Sequence, residues 1–154
     1  MRRTALAIVA LVGFAGSPAV EAQEWSPAQK EVWKAVSEMN ARFYGGDMAG
    51  LYEFIDRDFV WWNTANDVPG DFESARKGDG AYWPHARKWL HGSCVPLTIQ
   101  AYDTFAVVNT YCRGHREAAP GQDPQWEAVR ILYVMRKKDG RWLQTANYID
   151  FKQR

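Results

Sequence analysis

A change of hydrophobic period at His91-Gly92 limits this chain's fold more than any other feature. Before it, apolar side chains recur every three or four residues. Val32, Val36, Met39 and Phe43 form one such helical stripe, with Trp33, Asn40 and Tyr44 alongside. Ser26-Pro27-Ala28-Gln29 supplies a capping box and a proline at the first helical position, and Gly45-Gly46 ends the helix. Asp47 can cap a second, shorter helix through Met48, Leu51, Tyr52 and Ile55. Phe59 to Asn63 reads as a first strand and Thr64 to Asp71 as a loop. A third helical stretch is expected within Phe72 to Leu90, broken near Gly78-Asp79-Gly80, with Pro84 in its first turns. After Gly92 the period is two. Val95, Leu97, Ile99 and Ala101 alternate with Cys94, Pro96, Thr98 and Gln100, and Tyr102-Asp103-Thr104 turns the chain. Strands follow over Phe105 to Arg116, Trp126 to Lys137 and Arg141 to Phe151, the last two joined by the hairpin pair Asp139-Gly140. Helices first and antiparallel strands after give an α+β class with helices on one face of a bent sheet.

The N-terminus stands apart from this pattern. Arg2 and Arg3 precede an apolar run from Ala5 to Ala15, Gly16-Ser17-Pro18 breaks it, and Val20-Glu21-Ala22 offers small residues for cleavage. These are the three parts of a secretory signal, and the run is shorter than the roughly 20 residues a bilayer span needs. The alternative is an N-terminal membrane anchor. Residues 1–22 are read as the signal and residues 23–154 as one domain. Removal of the signal leaves 132 of the 154 residues, with 17 basic and 17 acidic groups. That balance disfavours a nucleic-acid binder, which normally carries a basic excess. The expected location is secreted or periplasmic, with no membrane span in the mature chain.

An exported chain meets an oxidising compartment, which bears on its two cysteines. With the first hairpin centred on Asp103, Cys94 and Cys112 face each other within disulfide reach. A register shift of one residue would separate them, leaving two buried thiols.

Tyr44-Gly45-Gly46-Asp47 between helices, Asp58-Phe59-Val60-Trp61 entering the first strand and Lys138-Asp139-Gly140-Arg141-Trp142 at the last hairpin occur in an order that resembles the nuclear transport factor 2-like superfamily, and within it the SnoaL-like domains. The resemblance implies a cone-shaped fold, a curved antiparallel sheet wrapped around N-terminal helices, with a pocket inside. The superfamily includes isomerases, dehydratases, cyclases and epoxide hydrolases, so the fold implies a cavity and leaves the reaction open.

Three catalytic patterns of such domains were carried onto the chain. The ketosteroid-isomerase pattern needs a tyrosine, an aspartate base and a second acid, and these positions fall on Met39, Asn63 and Leu132, none of which serves. The limonene-epoxide-hydrolase pattern resembles Trp61-Trp62-Asn63, Arg130-Ile131-Leu132 and Asn147-Tyr148-Ile149-Asp150, but amides stand where carboxylates would activate water. The scytalone-dehydratase pattern needs cavity histidines, and the chain offers His85, His91 and His115. His115 shares strand parity with Arg113, Tyr111, Asn109 and Val107; it is either an acid–base group with Tyr111 or Asp150, or a solvent-facing strand end. No HExxH or CxxC spacing points to a metal. The eight tryptophans pack a core, wall a pocket, or do both.

The expected function is therefore binding of a small apolar or aromatic molecule in an aromatic-lined cavity, without a cofactor. The candidate ligand residues are Trp61, Asn63, Tyr111, Arg130, Asn147 and Tyr148. The alternatives are an enzyme using His115 or Asp150 for proton transfer, and an oligomerisation module, such as a homodimer, pairing through outward residues such as Val108.

Overall fold

The computed structural model describes residues 24–118 and 123–151. The expected signal, residues 1–22, lies outside the described residues.

Helix α1 spans Pro27–Tyr44, and both halves of the expected capping box form between Ser26 and Gln29. Its Val32, Val36 and Met39 are buried against the sheet, and Gln29 Nε2 donates to the Ile99 carbonyl at 2.6 Å. Helix α2 is a single turn, Met48–Tyr52, capped by Asp47 on the Gly50 N–H. Strand β1 covers Ile55–Asn63, and β2 is a two-residue strand, Gly70–Asp71. Helix α3 runs Phe72–Tyr82, and a 3₁₀ turn at Trp83–His85 leads to β3, Trp89–Ala101. Strands β4 (Phe105–Arg116), β5 (Gln125–Lys138) and β6 (Arg141–Phe151) complete the domain. Asp139 and Gly140 have φ of 51° and 77°, the pair of positive values that a tight hairpin matched to strand twist requires.

Four local readings change. Ile55, expected on the second helix, opens β1, and Gly70-Asp71, expected in a loop, pair with β1 as β2. Gly78-Asp79-Gly80 does not break α3; it lies inside it, and the Asp71–Ser74 capping box holds the helix start despite the glycines. Trp89 and Leu90 belong to β3 rather than to a helix, because Pro84 ends the helical path first.

The sheet order is β2-β1-β6-β5-β4-β3, with β1 parallel to β6 and the other neighbours antiparallel. This corrects the cone-shaped fold with a curved antiparallel sheet wrapped around N-terminal helices. The sheet is mixed, open and not strongly curled, with β2 and β3 at its two ends. Period-two alternation fixes which side chains share a face but carries no information on closure, and closure would need the two ends to pair.

The hairpin of β3 and β4 contains the Cys94–Cys112 disulfide. The turn is centred between Asp103 and Thr104, since Ala101 pairs with Ala106. A bulge at Leu97, between the Pro96–Thr110 and Thr98–Asn109 pairs, restores the register that brings the cysteines together. The core lies between α1 and the sheet and joins Val32, Val36 and Met39 to Ile99, Val108, Tyr133, Met135 and Trp142. Val108 is fully buried there, so it is not an outward residue.

Candidate functional site

Side chains directly opposed on neighbouring strands share a face. One such row runs Trp61, Asn147, Tyr133, Val108 and Ile99 on the helix-facing side. Where α1 covers the row's far end it is packed core. Where α2 and α3 stand off the sheet, a cavity of about 620 Å³ remains. Phe43, Tyr44, Tyr52, Trp61, Trp83 and Trp89 contribute aromatic surface to it. The rings meet edge to face: Phe43 on Trp83 at 5.1 Å and Tyr44 on Trp89 at 5.1 Å between centroids. The sheet makes room for them with glycines. A Cβ at Gly92 would overlap the Tyr44 ring, and one at Gly114 the Trp89 ring.

The polar groups of the cavity are few and placed. The Tyr133 hydroxyl donates to Asn40 Oδ1 at 3.0 Å, and burial pushes that phenol well above the ordinary tyrosine range. Tyr44 is pushed up to about 12, by burial first and by the Glu127 charge second. Gln144 is 2% exposed, and its Nε2 has no hydrogen-bond partner; Asn147 Oδ1 is likewise buried and unpartnered. Both side chains line the cavity. Arg116 lies under the Trp89 ring, 4.1 Å from its centroid, donates to the Tyr82 hydroxyl at 2.7 Å, and sets its Nε 3.1 Å from Glu127. Asp79 accepts from the Tyr52 hydroxyl at 2.8 Å and from Trp83 Nε1 at 3.3 Å, and burial holds its carboxyl above the usual aspartate range.

Of the residues expected at the site, Trp61, Asn63 and Asn147 line the cavity. Asn63 Oδ1 already accepts the Ala65 N–H at 2.8 Å and so shapes the loop after β1. Tyr111, Arg130 and Tyr148 stand on the opposite face of the sheet, as do the proton-transfer candidates His115 and Asp150. Asp150 lies 4.0 Å from Arg130, and the His115 ring stacks on Trp126 at 4.4 Å. The parity assigned to β4 was inverted: Cys112, Gly114 and Arg116 face the cavity, while Tyr111, Arg113 and His115 face away. Both faces of β4 carry apolar residues, so alternation alone did not say which is inner. Of the other two histidines, His85 and His91 are exposed, and neither lines the cavity.

The carboxyl groups in the cavity, Asp79 and Glu127, were not anticipated. Asp79 was hidden by its two flanking glycines, which read as a helix break. Arg116 shares parity with Cys112, so an inward cysteine carries Arg116 and its β5 neighbour Glu127 inward with it. Gln144 sits two residues after Trp142 at a position of core parity, which is the one signal that pointed to a buried amide.

No protein-family model and no curated sequence matches the chain. Solved structures do match. A ketosteroid isomerase-like protein from Erwinia carotovora atroseptica superposes with a TM-score of 0.71 at 11% identity, over 84% of this chain and 100% of that one. The CamKII hub homology domain of Chlamydomonas reinhardtii gives 0.65 at 18%, over 80% and 98%. A nuclear transport factor 2-like protein of unknown function in nutrient uptake from Rhodospirillum rubrum gives 0.64 at 14%, over 79% and 98%. The fold is nuclear transport factor 2-like. At these identities the likeness covers the fold alone.

Proposed function

We propose that this is an exported SnoaL-like domain that binds a small apolar or aromatic molecule in the cavity between α2, α3 and the sheet. One observation carries the reading: a cavity of about 620 Å³, walled by aromatic rings and lined by two amides, each with one buried polar atom, Gln144 Nε2 and Asn147 Oδ1, that has no partner. That volume is within the range of small-molecule sites, which combine apolar walls with a few fixed polar groups. Buried polar atoms are costly unless satisfied, and a ligand hydroxyl or carbonyl beside Gln144 and Asn147 would satisfy them. The signal-like start and the disulfide support an oxidising compartment. Among the described residues no helix is long and apolar enough to cross a membrane.

The test is a titration of the secreted-length domain with a panel of apolar and aromatic compounds, followed by tryptophan fluorescence and thermal unfolding. Saturable fluorescence change together with a raised Tm is expected for some of the panel, and its loss in Trp61→Ala places the ligand in this cavity. A flat response across the panel refutes the reading.

A second reading, self-association, draws on the outer face. The rows Val95–Tyr111–Arg130–Asp150 and Trp62–Tyr148–Leu132–Asn109 run across it. Val95, Trp62 and Tyr148 are exposed there at 52%, 44% and 41%. A face with exposed apolar residues beside the opposite charges of Arg130 and Asp150 can complement a second copy of itself about a two-fold axis.

A further inference from the structure

We propose that the α2–α3 end of the cavity recognises an organic ammonium group, with the Asp79 carboxylate as its counter-ion and the Tyr52 and Trp83 rings as its walls. This names the ligand class for the cavity and rests on reading that cavity as a small-molecule site.

The argument is one of charge. Three ionisable carboxylate or guanidinium side chains line the cavity: Asp79, Glu127 and Arg116. Arg116 and Glu127 lie 3.1 Å apart and offset each other. Asp79 is left over. Its two contacts, from the Tyr52 hydroxyl and the Trp83 indole N–H, are neutral donors that orient the carboxylate without cancelling its charge. A carboxylate has about four acceptor sites, so about two stay open to a ligand. Asp79 also has no structural duty of the kind its neighbours have. Asp47 and Asp71 accept backbone N–H groups and cap helices, whereas both oxygens of Asp79 are engaged by cavity-lining side chains.

Arg116, inside the cavity, lies 5.8 Å from the centroid of the Trp83 ring, on the side where it pairs with Glu127. The other basic groups near this end lie in the neighbouring depression. Arg76, one turn earlier on α3, and Arg57, on β1, line a shallow depression that shares Tyr52, Asp79 and Trp83 with the cavity. Arg57 is held 4.5 Å over the Phe72 ring and 3.4 Å from Glu73. Among the described residues no basic side chain comes within 4.0 Å of Asp79. Burial leaves the lone carboxyl raised, which is the cost of holding it here without a cation. An ammonium group entering the site would remove that cost, with the Tyr52 and Trp83 rings beside it and its apolar body among the remaining rings of the cavity.

Three probes of one shape separate the outcomes: 2-phenylethylamine, 2-phenylethanol and 3-phenylpropionate, titrated into the domain by calorimetry at neutral pH. The amine is expected to bind about tenfold more tightly than the alcohol, and the acid most weakly. Asp79→Asn is expected to erase the amine's advantage over the alcohol. In the native domain the amine's affinity is expected to fall as Asp79 protonates on acidification, while the alcohol's stays level; this profile needs no variant to fold. Binding of the alcohol without any preference for the amine overturns the ammonium site and leaves the cavity reading standing. An amine preference that survives in Asp79→Asn also overturns it. No saturable binding by any of the three overturns the ammonium site and counts against the cavity reading.

Discussion

Removing the Arg136 guanidinium leaves the Asp56 carboxylate with the Asp58 N–H and, 4.0 Å away, Lys138. Asp56 is 2% exposed on β1, and Arg136 on β5 donates to it at 2.8 Å. Burial pushes the Asp56 carboxyl up, but the Arg136 hydrogen bond, the Asp58 N–H and the nearby positive charges outweigh it and hold the carboxyl below its usual range. Arg136→Ala is expected to lower Tm, by less than the loss of a fully buried pair because the arginine is half exposed and Lys138 stays 4.0 Å from Asp56. The pH sign follows from the lowered value. Asp56 contributes its full stability above the unfolded aspartate value of about 3.9 and loses it as pH falls through the folded value. Thermal unfolding from neutral to acid pH should show this loss in the native domain and a shallower one in Asp56→Asn. Asp79 has the opposite sign. Its raised carboxyl means the folded state holds the proton more tightly, so stability falls as pH rises from about 3.9 through the folded value. Asp79→Asn is therefore expected to flatten this pH dependence of Tm, its amide keeping one acceptor oxygen for the two donors Tyr52 and Trp83. A pH dependence unchanged in Asp79→Asn would remove this titration from Asp79.

At the scale of elements, the β3–β4 hairpin is the best-determined piece and the α2–α3 segment the least. The Cys94–Cys112 bridge spans a sequence separation of 18, for which closing the unfolded loop is worth about 3 kcal/mol. Reduction should lower the denaturant midpoint and steepen the slope as the unfolded chain loses its cross-link, and Cys94→Ala/Cys112→Ala should reproduce the effect without reductant. The pairing of these cysteines was legible in the sequence, although by a route that needed correction. A turn one half-residue further along and a bulge at Leu97 offset each other. The α1 cap, its apolar stripe and the Asp139-Gly140 hairpin were legible because each is a local rule satisfied by neighbouring residues. The unbroken α3 was not, because Gly78-Asp79-Gly80 has low intrinsic helix propensity and tertiary packing overrides it.

For the whole molecule, the two faces of one sheet divide the labour. The inner face carries the core and the cavity. The outer face holds Tyr111 and His115, which strand alternation grouped with the pocket, and Arg130, Tyr148 and Asp150, which the resemblance to epoxide hydrolases grouped with it. If two copies pair through that face, light scattering on the domain should report a dimer at micromolar concentration, and Tyr148→Lys should return it to a monomer without altering ligand titrations. A monomer across that range refutes the pairing. Among the described residues no helix covers this outer face, since α1 and α3 both lie on the other side.

Local rules written in the sequence determined the α+β class, the helix caps, the hairpin turn, the strand positions and the cysteine partnership, because each depends on side chains a few residues apart or on a single register. Tertiary structure alone decided that the sheet is open and mixed, which face is inner, and that Asp79, Arg116, Glu127 and Gln144 meet around one cavity. Those depend on which strands become neighbours across long stretches of chain. A period of two gives two faces and no means of telling them apart until α1 packs on one.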